Sequence, residues 1–172
     1  MVIGNCEFGI MNSEFSRPVH TPLQGCRNQS LFFDYTVDME DKENRREVRL
    51  YIENAQEMLE AAKVNLDNDF YASGVNRSYY AVFYAANALL ATLGEARSKH
   101  SGVISVFRQR FIKTGELPVE LSEIYGDLLN SRQSGDYDLN TRVEIETAIQ
   151  LLEKARRFVD EVEQWLRRNQ WL

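Results

Sequence analysis

The stretch Ala72-Ser73-Gly74-Val75-Asn76-Arg77-Ser78-Tyr79-Tyr80-Ala81-Val82-Phe83-Tyr84-Ala85-Ala86-Asn87-Ala88-Leu89-Leu90-Ala91-Thr92-Leu93 decides the fold. Val75, Tyr79, Val82, Phe83, Ala86, Leu89, Leu90 and Leu93 recur at three and four residues, the spacing of one helical face. Arg77 alone carries charge inside the stretch. A helix this apolar all round is the central member of a bundle. Gly94 follows where a helix C-terminus favours a left-handed residue. The spacing predicts a central helix over about 72–93.

Upstream, Ile52, Leu59 and Leu66 repeat at seven, as do Val48, Ala55 and Ala62, with Tyr51 and Met58 between them. That is a broad apolar stripe, ended by the turn-forming run Asp67-Asn68-Asp69. Downstream, Gly94 to Ser101 reads as a loop in which Ser98 or Ser101 caps a third helix carrying Val103, Ile104, Val106, Phe107 and Phe111. Thr114-Gly115-Glu116-Leu117-Pro118 breaks it, and Pro118 opens a fourth helix running to about Ser131. Gln133 to Asn140 reads as a polar loop with Gly135. Ile145, Ala148, Leu152, Ala155, Val159, Val162 and Leu166 then form the clearest stripe of the chain. The expected class is all-α: five helices in an up-and-down bundle, short loops making sequential helices antiparallel.

Residues 1–38 differ from the body at 39–172. They hold two of the three prolines, both cysteines and no lysine, without a sustained period. They are expected to be a poorly ordered extension, or to precede a true start at Met39, with Phe32 to Val37 a short strand or a segment packed on the body. Cys6, Cys26, His20 and the distant His100 lack the spacing of a zinc site. No metal or cofactor is expected. The cysteine-free body suits a reducing, cytoplasmic compartment.

Twenty Lys and Arg against 26 Asp and Glu give a net charge of −6 in 172 residues. That balance excludes a protein coating nucleic acid by bulk charge, though local basic patches remain compatible with it. No run approaches the roughly 18 apolar residues of a membrane span. Dinucleotide-binding and P-loop glycine patterns are absent, as are the serine-hydrolase elbow and Glu-x-x-His.

Three groups of residues could carry chemistry. On the central helix, Ser73, Asn76, Arg77, Tyr80, Tyr84 and Asn87 share a polar line, either a cleft or subunit interface or a hydrogen-bonded core network. A guanidinium on a central helix needs a carboxylate or a cleft. Lys99, His100 and Ser101 precede the third helix, where free N–H groups and a positive dipole end can hold a phosphate. Arg132 lies near a helix C-terminus that favours a cation, and a turn at Gly135 would bring Asp136 and Tyr137 back towards it. Asp136 there is a base or a salt-bridge partner; Tyr137 is a donor to an oxyanion.

Together these residues resemble the small HEPN domains (higher eukaryotes and prokaryotes nucleotide-binding). Asn76-Arg77-Ser78-Tyr79-Tyr80-Ala81-Val82-Phe83-Tyr84-Ala85-Ala86 is similar to their N-R-x-Y-Y-A-x-F-Y-A-A helix. Lys99-His100-Ser101-Gly102-Val103 resembles their K-x-H-x-G-V region, one residue shorter between lysine and histidine. Phe111 to Pro118 resembles their helix break, and Arg132-x-x-x-Asp136-Tyr137 their R-x-x-x-D-Y loop. The likeness spans about residues 40–166.

The resemblance implies a HEPN bundle that forms a homodimer. It also implies frequent pairing with a small nucleotidyltransferase in toxin–antitoxin modules. Many such proteins are metal-independent ribonucleases with an arginine followed after four to six residues by a histidine at the dimer cleft. The arginine steadies the phosphorane charge and the histidine moves the 2′-hydroxyl proton. This chain departs from that signature: no histidine follows Arg132, and Asp136 and Tyr137 occupy the window. An aspartate of ordinary pKa is a weak base near neutrality. Ribonuclease chemistry would therefore need His100 to reach Arg132 in space or from a second subunit. Three readings follow: a toxin–antitoxin or defence-type component binding RNA or nucleotide, a metal-independent ribonuclease, and a non-catalytic helical adaptor. Arg132, Asp136, Tyr137 and His100 are the expected catalytic residues. Arg77, Tyr80, Tyr84, Asn87 and Lys99 are the expected contacts to RNA or nucleotide.

Overall fold

A computed structural model describes residues 29–95, 100–137 and 143–172. Side chains are described within 41–95, 102–133 and 143–172. Cys6, His20, Cys26 and Lys99 lie outside the described residues. The elements are α1 Gln29–Asp67, α2 Tyr71–Ala91, α3 His100–Phe107, a π-helical turn Arg108–Ile112, α4 Glu120–Tyr137 and α5 Ile145–Arg168. Among the described residues no strand occurs, so the chain is an all-α bundle of five helices.

α2 is central, as its composition dictates. It packs against α1, α3, α4 and α5, and fourteen of its residues are buried. α1 turns back into α2 through Asp67 to Phe70. Asp69 adopts φ 65°, and the Phe70 N–H reaches the Asn65 carbonyl at 2.9 Å. Where the two helices close on each other, Gly74 lets Leu66 of α1 pack directly onto the α2 backbone, and a larger residue would require the Leu66 side chain to move. A Cβ there would stand 1.8 Å from Leu66 Cδ1 and 3.3 Å from the Ala62 carbonyl oxygen. At the far end of α2, Gly94 takes φ 64°, and the N–H groups of Gly94 and Glu95 bond back to Ala91 and Leu90. This is the left-handed stop expected of that glycine.

α5 closes the bundle antiparallel to α1. Gln56 bonds to Glu163, and Arg45 stacks over the Trp171 ring at 5.0 Å. α4 runs antiparallel to α5: the Trp165 indole donates to Glu116 near the start of α4, and Lys154 pairs with Asp127. Between them Phe107, Tyr125 and Phe158 meet with centroids 5.4–6.0 Å apart. Such tilted aromatic packing adds to plain area burial.

Three local expectations change. The segment Phe32 to Val37 is helical, within an α1 that continues unbroken through Met39. The third helix, read as one α-helix to Phe111, widens into a π-helical turn at Arg108. α4 does not end near Ser131 but continues to Tyr137, so Gly135 is a helical residue and makes no turn. Glycine costs only about 1 kcal/mol in a helix, which the surrounding helix hydrogen bonds outweigh.

Candidate functional site

The site begins with Arg132. Two buried or half-buried tyrosines of α2 carry it: its guanidinium carbon lies 5.1 Å from the Tyr79 ring centroid and 5.4 Å from that of Tyr80. Cation–π contact of this kind holds a guanidinium flat while its in-plane N–H edge keeps the geometry that binds phosphate. Antiparallel packing of α4 on α2 sets this register, and the adjacent pair Tyr79-Tyr80 supplies both rings. They stand 5.5 Å apart at an interplanar angle of 69°.

Beneath the arginine, Tyr79 meets Tyr125 of α4 with ring centroids 6.2 Å apart. Both are fully buried. Burial pushes the Tyr79 hydroxyl up to about 12, the nearby Arg132 charge pulling the other way. Burial, then the neighbouring Tyr79, raises Tyr125 as well. These phenols remain neutral at physiological pH and form the floor of the site.

A row of rings extends outward from Arg132. Tyr80 and Tyr84 lie 6.2 Å apart, and Tyr84 and Tyr51 of α1 lie 6.4 Å apart. All three are half-buried. Burial, then Glu47 and Tyr84, raises the pKa of Tyr51. One turn before Tyr80, Arg77 is exposed and its guanidinium reaches Met58 Sδ at 3.9 Å. With Ala72, Ser73 and Asn76 it lines an open recess of ≈ 240 Å³.

Arg77, Tyr80, Tyr84 and Arg132 thus fall along one side of the molecule. Arg77 needs no buried carboxylate, because α2 is exposed at that position. Asn87 sits elsewhere. It is fully buried, and its amide donates to the Phe83 carbonyl at 3.1 Å. The sequence left core or interface open for it; the structure gives it no surface to offer a ligand. Asp136 and Tyr137 follow Arg132 by four and five residues within α4, which puts Asp136 on the Arg132 face by helical register. A turn does not bring these residues together. His100 is the first residue of α3, and its side chain, like those of Asp136 and Tyr137, lies outside the described residues.

By sequence, Tyr51, Met58 and Tyr79 belong to apolar stripes, and nothing in the pattern marks Tyr125. Their signal was only that an aromatic or thioether at a stripe's edge has two fates. Which helix packs beside that edge decides between them.

The family model of the HEPN domain matches residues 48–165. The chain belongs to the HEPN family. Over 122 residues it is 40% identical to "Putative toxin MJ0142" of Methanocaldococcus jannaschii, covering 71% of this chain and 83% of that one. It is 38% identical to a UPF0332 protein of Thermotoga maritima, covering 70% and 92%, and 37% identical to "Putative toxin MJ0605" of M. jannaschii, covering 74% and 94%. The HEPN match opens at Val48, a fully buried residue of α1, and closes at the buried Trp165 of α5. It therefore takes in the packed core together with the Arg132 site. Among the described residues no helix is long and apolar enough to cross a membrane.

Proposed function

We propose that this HEPN protein is a component of a toxin–antitoxin or defence-type module, and that it binds RNA or a nucleotide along the Arg132–Tyr80–Tyr84 row. The observation that carries the reading is the stacking of Arg132 on Tyr79 and Tyr80. A guanidinium held in this way meets a phosphate without first losing side-chain freedom. The row of half-buried rings beside it supplies surfaces for bases, each worth about 1–3 kcal/mol in single-strand binding. Arg77 adds a second cation on the same side. Two relatives carry toxin names, which supports the module context. In this proposal the protein acts in the cytoplasm as a homodimer and pairs with a nucleotidyltransferase.

A second reading, metal-independent ribonuclease, draws on the placement of Asp136 one helical turn beyond Arg132. Arg132 would steady the phosphorane charge, with Asp136 or His100 as base.

The test uses the purified full chain and a labelled single-stranded RNA, with a chelator present throughout. Binding that weakens by about tenfold or more in Arg132→Ala, and less in Tyr84→Ala, supports the RNA-binding site. Cleavage that survives the chelator and disappears in Arg132→Ala supports the ribonuclease. Binding unchanged in Arg132→Ala overturns the assignment of the site.

A further inference from the structure

α1 has a second flank, and its chemistry is different. Leu50, Glu53, Glu57, Glu60 and Val64 recur at three and four residues, so they share one face, turned away from Tyr51 and Met58. On α5, Ile145, Ile149, Arg156 and Asp160 likewise share a face. The two helices run antiparallel, and between them lies an open groove of ≈ 590 Å³ lined by Glu53, Gln56, Glu57, Leu59, Glu60, Arg156 and Asp160. None of its four carboxylates is ion-paired among the described residues. Arg156 is tied instead to Glu153 at 3.1 Å, and Arg49 turns back to the Arg45 carbonyl. Lys63 is exposed on the same helix.

The groove is not acidic throughout its surroundings. Towards the end where α1 turns into α2, large apolar side chains stand in solvent: Val64 is 59% exposed, Ile149 47% and Ile145 40%. Phe70, 63% exposed, lies at that same end, in the turn between α1 and α2. Val64 continues the Glu53–Glu57–Glu60 face, and Ile149 and Ile145 continue the Arg156–Asp160 face, so exposed apolar side chains extend the charged groove at one end. Two antiparallel helices with a furrow between them accept a third helix.

We infer that the α1–α5 groove docks a basic amphipathic helix of a partner protein. Apolar residues at one end of that helix would cover Val64, Ile145 and Ile149, and lysines or arginines along the rest would face Glu53, Glu57, Glu60 and Asp160. Charge complementarity selects this occupant. The same carboxylates repel RNA and offer nothing to an acidic helix. The inference does not rest on the RNA-binding reading, because the groove lies on the opposite flank of α1 from Arg132.

The probe is a synthetic helical peptide with a leucine-rich end and a lysine-rich remainder, titrated into the full chain; the same peptide with glutamate for lysine is the control. Expected is 1:1 binding that weakens by about tenfold or more in the double variant Glu57→Lys, Glu60→Lys and in Ile149→Asp. The milder pair Glu57→Gln, Glu60→Gln keeps the fold and still weakens binding. Arg132→Ala leaves it unchanged even where RNA binding is lost. Circular dichroism confirms that each variant is folded. Equal binding of the glutamate peptide, indifference to all the groove variants, or a groove whose variants alter only self-association of the chain overturns the inference.

Discussion

The two flanks of α1 are built from one helix yet treat charge in opposite ways. On the Tyr51–Met58 flank, rings from α1 and α2 stand side by side, and the cations are held against soft, polarisable groups: Arg132 on two tyrosines, Arg77 on a methionine sulfur. On the Glu53–Glu57–Glu60 flank four carboxylates without a described ion pair spread along a groove whose one cation, Arg156, is tied to Glu153. The first flank keeps a cation close to an apolar floor; the second keeps anions in water. A chain with a net charge of −6 therefore still presents a local cationic site.

The largest expected effect is one that both flanks share. Phe158 is fully buried and touches Phe107 and Tyr125. Phe158→Ala removes a ring beneath both surfaces and is expected to cost about 3–5 kcal/mol in chemical denaturation. RNA binding and peptide binding should then fail together at moderate denaturant. Loss of only one of them would mean that the flanks do not share a core.

Alkaline pH separates the flanks. Tyr79 has its pKa raised from 10.0 to about 12 in the folded chain. Its contribution to stability is fully present below pH 10, and is lost as pH rises towards 12, because the unfolded chain releases the proton first. The loss amounts to about 2–3 kcal/mol. Denaturation curves measured between pH 9 and 12 should show this slope in the native chain, and a shallower one in Tyr79→Phe. Substitutions in the acidic groove should leave the slope alone. An identical slope in Tyr79→Phe would place the alkaline sensitivity elsewhere.

The fold was legible because α2 and α5 state their period without interruption. Val75 to Leu93 and Ile145 to Leu166 each keep steps of three and four, and Gly94 marks an end with a conformation that few other residues adopt. The α4 boundary was not legible. Gly135 and its polar neighbours favour a turn locally, yet the helix continues through them to Tyr137. The site was half legible: Arg77, Tyr80 and Tyr84 stand out as polar residues in an apolar helix, and Arg132 by its place near the expected end of α4. Tyr79 and Tyr125 do not, since an apolar stripe accepts a tyrosine silently, and only the approach of α4 to α2 shows that Arg132 needs both rings nearby. The acidic groove left no trace in the pattern. Glu53, Glu57 and Glu60 look like any solvated face until α5 is laid beside them.

The tyrosine flank can be sharpened at Arg132 itself. Arg132→Lys keeps the charge but loses the planar fork, and each ring contact is worth roughly 0.5–1 kcal/mol at a partly exposed site. Lysine can still meet the rings as a cation, so the expected loss of stability is about 1 kcal/mol or less, read from the denaturation midpoint. RNA binding should fall further than stability alone would require, because lysine cannot bind a phosphate bidentately. Equal RNA affinity in Arg132→Lys would reduce the site to a point charge.

The smallest effect belongs to the groove, and its sign is the informative part. Glu57→Gln with Glu60→Gln removes two exposed like charges one helical turn apart, which oppose each other and have no described ion-pair partner. Like-charge pairs at this spacing cost a few tenths of a kcal/mol. The double variant should therefore be as stable as the native chain or slightly more so, within about 0.5 kcal/mol. A residue kept for stability would behave in the opposite way. Carboxylates whose removal leaves folding unharmed while peptide binding weakens are there for what they meet in solution. A measurable loss of stability would instead make them part of the α1–α5 packing, and would leave the groove without a reason to be acidic.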